Sequence, residues 1–216
     1  MNAPHGCRRI LLHVSSPSFE TNKDTNMPVI SITLLPGYSK EAETKLVGRV
    51  AMAARSVIAT PEAGMTVFVN HASTYQRGGT VFGAGGAERG DAAQLVRRFL
   101  DLMQNRDRGA AAAMLAPGFK MRFPGSPVMH RLEEHAEFAG ARYRNVAKTY
   151  ERFDESWTNN VTVVYCFGTL QGQWLDGSAF EGIRFIDRFE VTDDLISRQD
   201  VWNDLALHHP VVANAG

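Results

Sequence analysis

Between residues 76 and 90 the chain carries Gly78, Gly79, Gly83, Gly85, Gly86 and Gly90. Glycine at that density opposes a helix or a packed strand, because each one loses the most backbone freedom on ordering. The expectation is a linker over 76–90 with one folding unit on either side. A phosphate-cradling loop is the poorer alternative, since no G-x-G-x-x-G spacing fits and no strand leads into the stretch. A length of 216 residues suits two small units.

Before the linker, residues 1–26 show no periodic pattern, and their second half is polar and turn-rich. They read as a disordered leader or as a start assigned too early. From Pro28 the pattern sharpens. Ile30, Ile32 and Leu34 alternate with Ser31 and Thr33, as a half-buried strand requires, and Pro36-Gly37 turns the chain. Ser39 is placed to cap a helix whose first turn holds Glu41 and Glu43. Leu46, Val47, Val50, Ala54, Val57 and Ile58 give that helix one apolar face, and Met65–Asn70 forms a second strand. A crossover of this length implies parallel pairing, so 27–75 is a βαβ unit. It is too small to bury a secure core alone and is expected to associate with copies or neighbours.

After the linker, 91–207 reads as helices followed by strands. Asp91 with Gln94 makes a capping-box-like start, and Leu95, Val96, Phe99, Leu100 and Met103 share a face. A short alanine-rich helix runs from Gly109 to Leu115, stopped by Pro117-Gly118, and a third helix covers 131–147. The apolar period then drops to two. Strands are expected near 149–157, 161–171, 180–191 and 195–204, with turns at Asn159-Asn160, Asp176-Gly177 and Asp193-Asp194. Helices followed by an antiparallel sheet is an α+β layout, with 208–216 as a tail.

Charge narrows the partners. Lys+Arg and Asp+Glu stand at 23 each, which argues against nucleic acid or an anionic membrane surface. Cys7 and Cys166 are far apart and support neither a disulfide framework nor a metal site. No apolar run approaches the ~18 residues of a membrane span, and the run after Arg8-Arg9 is too short for a secretory signal. A cytoplasmic protein acting on a small molecule, with no cofactor and no metal, is the expectation.

Met27-Pro28 opening a strand, the Pro-Gly turn, the amphipathic helix, the strand ending Val69-Asn70 and the segment Tyr75-Gln76-Arg77-Gly78-Gly79 together resemble the 4-oxalocrotonate tautomerase family. The resemblance implies a trimeric or hexameric assembly with an amino-terminal proline as general acid/base. Tyr38 and Thr66 stand where such proteins commonly carry carboxylate-holding arginines, which argues against a dicarboxylate substrate. The second unit resembles the SnoaL-like branch of the nuclear transport factor 2-like (NTF2-like) superfamily. The features are three helices, then Val161–Gln171, Gly182–Phe189 and Asp200-Val201-Trp202. That implies a cone-shaped α+β fold with an internal pocket, usually dimeric.

Two sets of candidate residues follow. If Pro28 carries a free amine, its pKa starts at about 7.7–8.0 and falls on burial, which suits moving a proton between the carbon and oxygen of an enol. Arg77 is then the nearest anchor for an anion, and Tyr38, Asn70 and Tyr75 are donors to an enolate. In the second unit Asp187 shares strand parity with Ile183, Phe185 and Phe189, so a carboxylate sits on an apolar face. Burial there raises its pKa and suits a general base or a protonated donor, unless it is simply ion-paired across the sheet. Asp200, with Trp202 on its own face, is a comparable candidate, and Tyr165 is a candidate pocket hydroxyl whose facing parity leaves open. His71, His130, His135 and His208-His209 carry low weight. The leading reading is a keto/enol isomerase using Pro28. Its rivals place the chemistry on the aspartates of the second unit, with the first serving assembly, or make both units non-catalytic.

Overall fold

The computed structural model describes residues 27–208, and the expected leader and most of the expected tail lie outside them. The chain divides between Glu88 and Arg89 into two compact units.

In the first, β1 (Val29–Leu34) leads to α1 (Lys40–Arg55) and then to β2 (Thr66–His71), which pairs with β1 in parallel. The helix begins where the Ser39 side chain accepts from the Ala42 amide at 3.1 Å, satisfying one of the unpaired first-turn donors. Ile30, Ile32 and Leu34 are half-buried while Val29, Ser31 and Thr33 are exposed, the alternation a one-sided strand produces. No residue of α1 is buried.

The glycine-rich stretch is more structured than a linker. Gly78 and Gly79, at φ 56° and 84°, form the tight turn between β3 (Tyr75–Arg77) and β4 (Thr80–Phe82), a conformation in which a Cβ is costly. Gly85 and Gly86 then lie against Tyr38, whose hydroxyl accepts from the Gly86 amide at 2.9 Å. A Cβ at Gly85 would stand 2.4 Å from the Tyr38 ring. Glycine here permits close approach, a use that composition alone does not separate from flexibility.

The second unit contains α2 (Ala92–Gln104), α3 (Arg108–Ala112), β5 (Leu115–Arg122), α4 (Leu132–Gly140), β6 (Tyr143–Thr158), β7 (Val161–Trp174), β8 (Ala179–Thr192), β9 (Leu195–Asn203) and α5 (Leu205–His208). The strands form one sheet in the order β5-β9-β8-β7-β6. The expected antiparallel sheet is therefore corrected to a mixed one, because β5 runs parallel to β9. Pro117-Gly118 concealed β5: a proline inside a strand is tolerated at a sheet edge or bulge, and the β5–β9 register shifts between Leu115 and Lys120. The helix expected over 131–147 ends at Gly140, and residues 143–147 join β6 instead. Pairing with the whole length of β7 outweighs the local helical spacing there.

The core lies between α2, α4 and the inner face of the sheet. It is built from Val96, Phe99, Leu132, Val164, Ile183 and Phe189 among others. The α2 start is as expected, with Asp91 accepting from the Gln94 amide at 2.9 Å.

Candidate active site

The inner face of the second unit holds a cavity of about 130 Å³. Its walls are chiefly apolar: Phe99, Leu100 and Met103 from α2, Phe123, Tyr143 and Val146, then Leu170, Phe185, Val201 and Leu205. Seven side chains bring polar atoms to it, namely Gln104, His135, Tyr143, Lys148, Tyr150, Gln199 and Asn203. No carboxylate is among the lining residues, and Lys148 is the fully charged one.

Strand parity sets this arrangement. On β7 the even positions Val164, Cys166, Gly168 and Leu170 are buried inward, and their β6 partners include Phe153, Tyr150 and Lys148. On β8 the odd positions Ile183, Phe185, Asp187 and Phe189 face the same way. Asp187 is 0% exposed on this face, as its parity implied, and its Oδ2 accepts from the Lys148 ammonium. The ion pair across the sheet is thus present, with a lysine from β6 as the charge partner. Lysine was missed because the helix expected over 131–147 left position 148 at a junction without a facing.

Burial pushes the Asp187 carboxyl above its ordinary range, while Lys148 and then Gln199 pull in the opposite direction. Its Oδ1 has no hydrogen-bond partner among the described residues. Because Asp187 stands behind Lys148 rather than on the cavity wall, its geometry is that of a positioning group. Lys148 is further held 4.6 Å from the centroid of the Phe185 ring, a cation–π contact.

His135 is neutral near pH 7. Burial, with the charges of Lys148 and Arg108, lowers its pKa to about 4. Its ring packs 4.5 Å from that of Phe123. The Tyr150 phenol is pushed up, first by burial and then by the Asp187 charge, so it stays a hydroxyl donor. Burial likewise raises the Cys166 thiol, a free cysteine that behaves as a small core residue.

The other sequence candidates fall elsewhere. Asp200 pairs in register with Arg188 and points to the opposite face, where Arg198 Nε lies 2.6 Å and Arg188 Nη1 3.6 Å from its Oδ2. Tyr165 sits across from Arg188 on that same outer face, so the pocket hydroxyls are those of Tyr143 and Tyr150 instead. Trp202 is 53% exposed beside Ile186 and Arg184 on the outer face.

In the first unit, Pro28 precedes β1 and its carbonyl accepts from the Thr66 amide at 3.1 Å. Met27 is joined to its nitrogen, so a basic amine there requires cleavage between the two. The Asn70 amide donates to Ser31 Oγ at 2.9 Å. Tyr75 stacks on Phe82 with centroids 5.1 Å apart, and Arg77 is exposed at the hairpin turn. Asn70 and Tyr38 thus spend their polar atoms on structure.

No protein-family model and no curated protein matches the chain. About half of it is similar to solved NTF2-like and SnoaL-like domains. An NTF2-like protein of unknown function from Burkholderia pseudomallei is 19% identical over 54% of this chain and 92% of its own, with a TM-score of 0.46. A protein assigned as a SnoaL-like polyketide cyclase, from a Jannaschia species, is 17% identical over 57% and 94%, with a TM-score of 0.43. One assigned as a ketosteroid isomerase, from Shewanella frigidimarina, is 15% identical over 51% and 94%, also at 0.43. The comparisons give no support to a tautomerase-family domain in residues 27–75. No helix among the described residues is long and apolar enough to cross a membrane, and none of their side-chain groups is arranged to hold a metal ion.

Proposed function

We propose that the second unit is an isomerase of small, mostly apolar carbonyl compounds, working through an enolate held in the inner cavity. The observation that carries this reading is the Lys148 ammonium, the charged side chain of an apolar cavity, backed by the fully buried Asp187. A cation and a phenol in a low-dielectric wall favour the state in which negative charge has moved onto a carbonyl oxygen. Lys148 and Tyr150 donate to that oxygen. The neutral His135 imidazole takes the α-proton as the C–H electron pair becomes the new double bond. Return of the same proton to the far end of the conjugated system completes the isomerisation, with no net change in protons or electrons. Asp187 holds the ammonium in position through their hydrogen bond.

The direct test uses the purified full chain and a β,γ-unsaturated cyclohexenone, followed by absorbance of the conjugated isomer. Conversion that falls about 10²–10³-fold in Lys148→Met supports the reading, by analogy with loss of one oxyanion donor. Conversion no faster than the uncatalysed rate, together with no ligand-induced shift of the His135 ring resonances, sinks it.

A further inference from the structure

The outer face of the sheet carries a second, differently built concavity, of about 300 Å³, between β5, β9 and the segment leading to α4. The strand register decides its charge. Lys120 pairs with Arg198, and Arg122 with Asp200, which in turn pairs with Arg188; Arg198 also faces Glu190. Four cations and two carboxylates therefore share this face. Both carboxylates are already engaged: Arg188 Nη1 lies 2.7 Å from Glu190 Oε1, and Arg198 Nε lies 2.6 Å from Asp200 Oδ2. Lys120 and Arg122 are left exposed, with no ion-pair partner among the described residues.

His130 completes the wall. Its Nδ1 lies 3.0 Å from the Phe119 carbonyl, which assigns the proton to Nδ1 and leaves Nε2 unclaimed. The nearby Glu134 adds no free negative charge, because Arg131 Nε and the His130 amide both bond to it, at 3.1 and 2.7 Å. In a chain whose net charge is zero, two uncompensated cations on adjacent same-face positions of one strand are a local excess. A single strand accounts for two charges at an edge as protection against pairing. It does not account for their facing a concavity whose third side is a histidine.

We propose that this concavity binds a phosphoryl dianion, with Lys120 and Arg122 as its main contacts and His130 at its rim. The site is separate from the inner cavity and does not depend on the isomerase reading. The probe is inorganic phosphate, titrated into the full chain at constant ionic strength while the His130 ring resonances are followed, with methyl phosphate as a parallel arm. Saturable shifts are expected, weakened about tenfold in Lys120→Gln and again in Arg122→Gln, as loss of one charge-assisted hydrogen bond implies. Tighter binding of methyl phosphate assigns the site to phosphate esters, and tighter binding of the inorganic ion to free phosphate. Both substitutions are at exposed positions, and an unchanged melting temperature shows that the fold is kept. An equal response to sodium chloride, or unchanged affinity in both variants, overturns the proposal.

Discussion

Lys148 on β6 and Asp187 on β8 meet through a hydrogen-bonded ion pair although a whole strand lies between them. In register terms Lys148 shares a row with Leu170 and Ile183, and Asp187 sits four residues beyond Ile183. In a flat sheet their backbones would lie about 16 Å apart, two strand spacings across and four residues along. A lysine and an aspartate side chain together do not span that. The sheet must therefore curl between the two rows, and Gly168, without a side chain on the inner face, sits between them.

That places a sharp constraint on Gly168. A Cβ there would stand 1.9 Å from the Thr149 carbonyl oxygen and 3.1 Å from the Phe185 ring. Gly168→Ala is expected to destabilise the second unit by about 1–3 kcal/mol, the usual cost of overpacking, with the backbone of β6 forced outward. The check is chemical denaturation of the variant together with the Lys148–Phe185 ring-current shift. Wild-type stability with an unchanged shift would mean that the curl does not depend on the missing side chain.

Lys148→Met removes the partner of a carboxylate that is 0% exposed. Breaking a buried pair on one side commonly costs about 3–5 kcal/mol, moderated here because Asp187 can take up a proton. The folded variant then holds a proton that the unfolded chain has released above the ordinary aspartate range. Stability should therefore fall as pH rises, more steeply than in the wild type. Denaturation midpoints at pH 5 and pH 8 measure the difference, and Asp187→Asn in the same background should remove it. A pH-independent loss would show that Asp187 is not the group left unpaired.

His135 predicts the opposite slope. Its folded pKa of about 4 lies below the ordinary histidine value of about 6.5. Above pH 6.5 both folded and unfolded forms are neutral and the full stability is present. As pH falls through that window the unfolded chain takes the proton first, and about 3 kcal/mol is lost by pH 4. Asp187 titrates against this trend, so the informative quantity is the wild-type curve minus that of His135→Gln. The same variant should lower isomerisation about 10²–10⁴-fold, the usual contribution of a general base. Matching stability curves for the two proteins would place the imidazole in an ordinary solvated environment.

Parity made Asp187 visible in the sequence: alternation over 183–189 put a carboxylate among three apolar residues, and the fold buries it there. Parity failed where both faces are covered, as on β7, and left Tyr165 without a facing. Tyr150 and His135 fall in a strand and a helix that the sequence did predict, with nothing in it to show that they face one cavity, and Lys148 was hidden for a further reason. Tyr143–Lys148 can satisfy a helical spacing, and only pairing with β7 turns it into a strand aimed at the cavity. The glycines of 76–90 were ambiguous in another way, since a tight turn, a close approach and a flexible chain require the same residue.

The first unit leaves its own expectation to be measured. Its two-stranded parallel sheet exposes Val29 and Phe68 on the face away from α1, and parallel strands are ordinarily covered on both faces. Self-association, expected from its small size and as a trimer or hexamer only from the tautomerase-like resemblance, would cover that surface. Sedimentation of the full chain should then show a concentration-dependent assembly that Phe68→Glu weakens. Pro28→Ala separates assembly from chemistry at the same unit. With Met27 in place the Pro28 nitrogen is an amide, so the variant should convert the cyclohexenone at the wild-type rate. A collapse of that rate with the oligomer intact would move the proton transfer out of the inner cavity and onto a proline amine freed by cleavage.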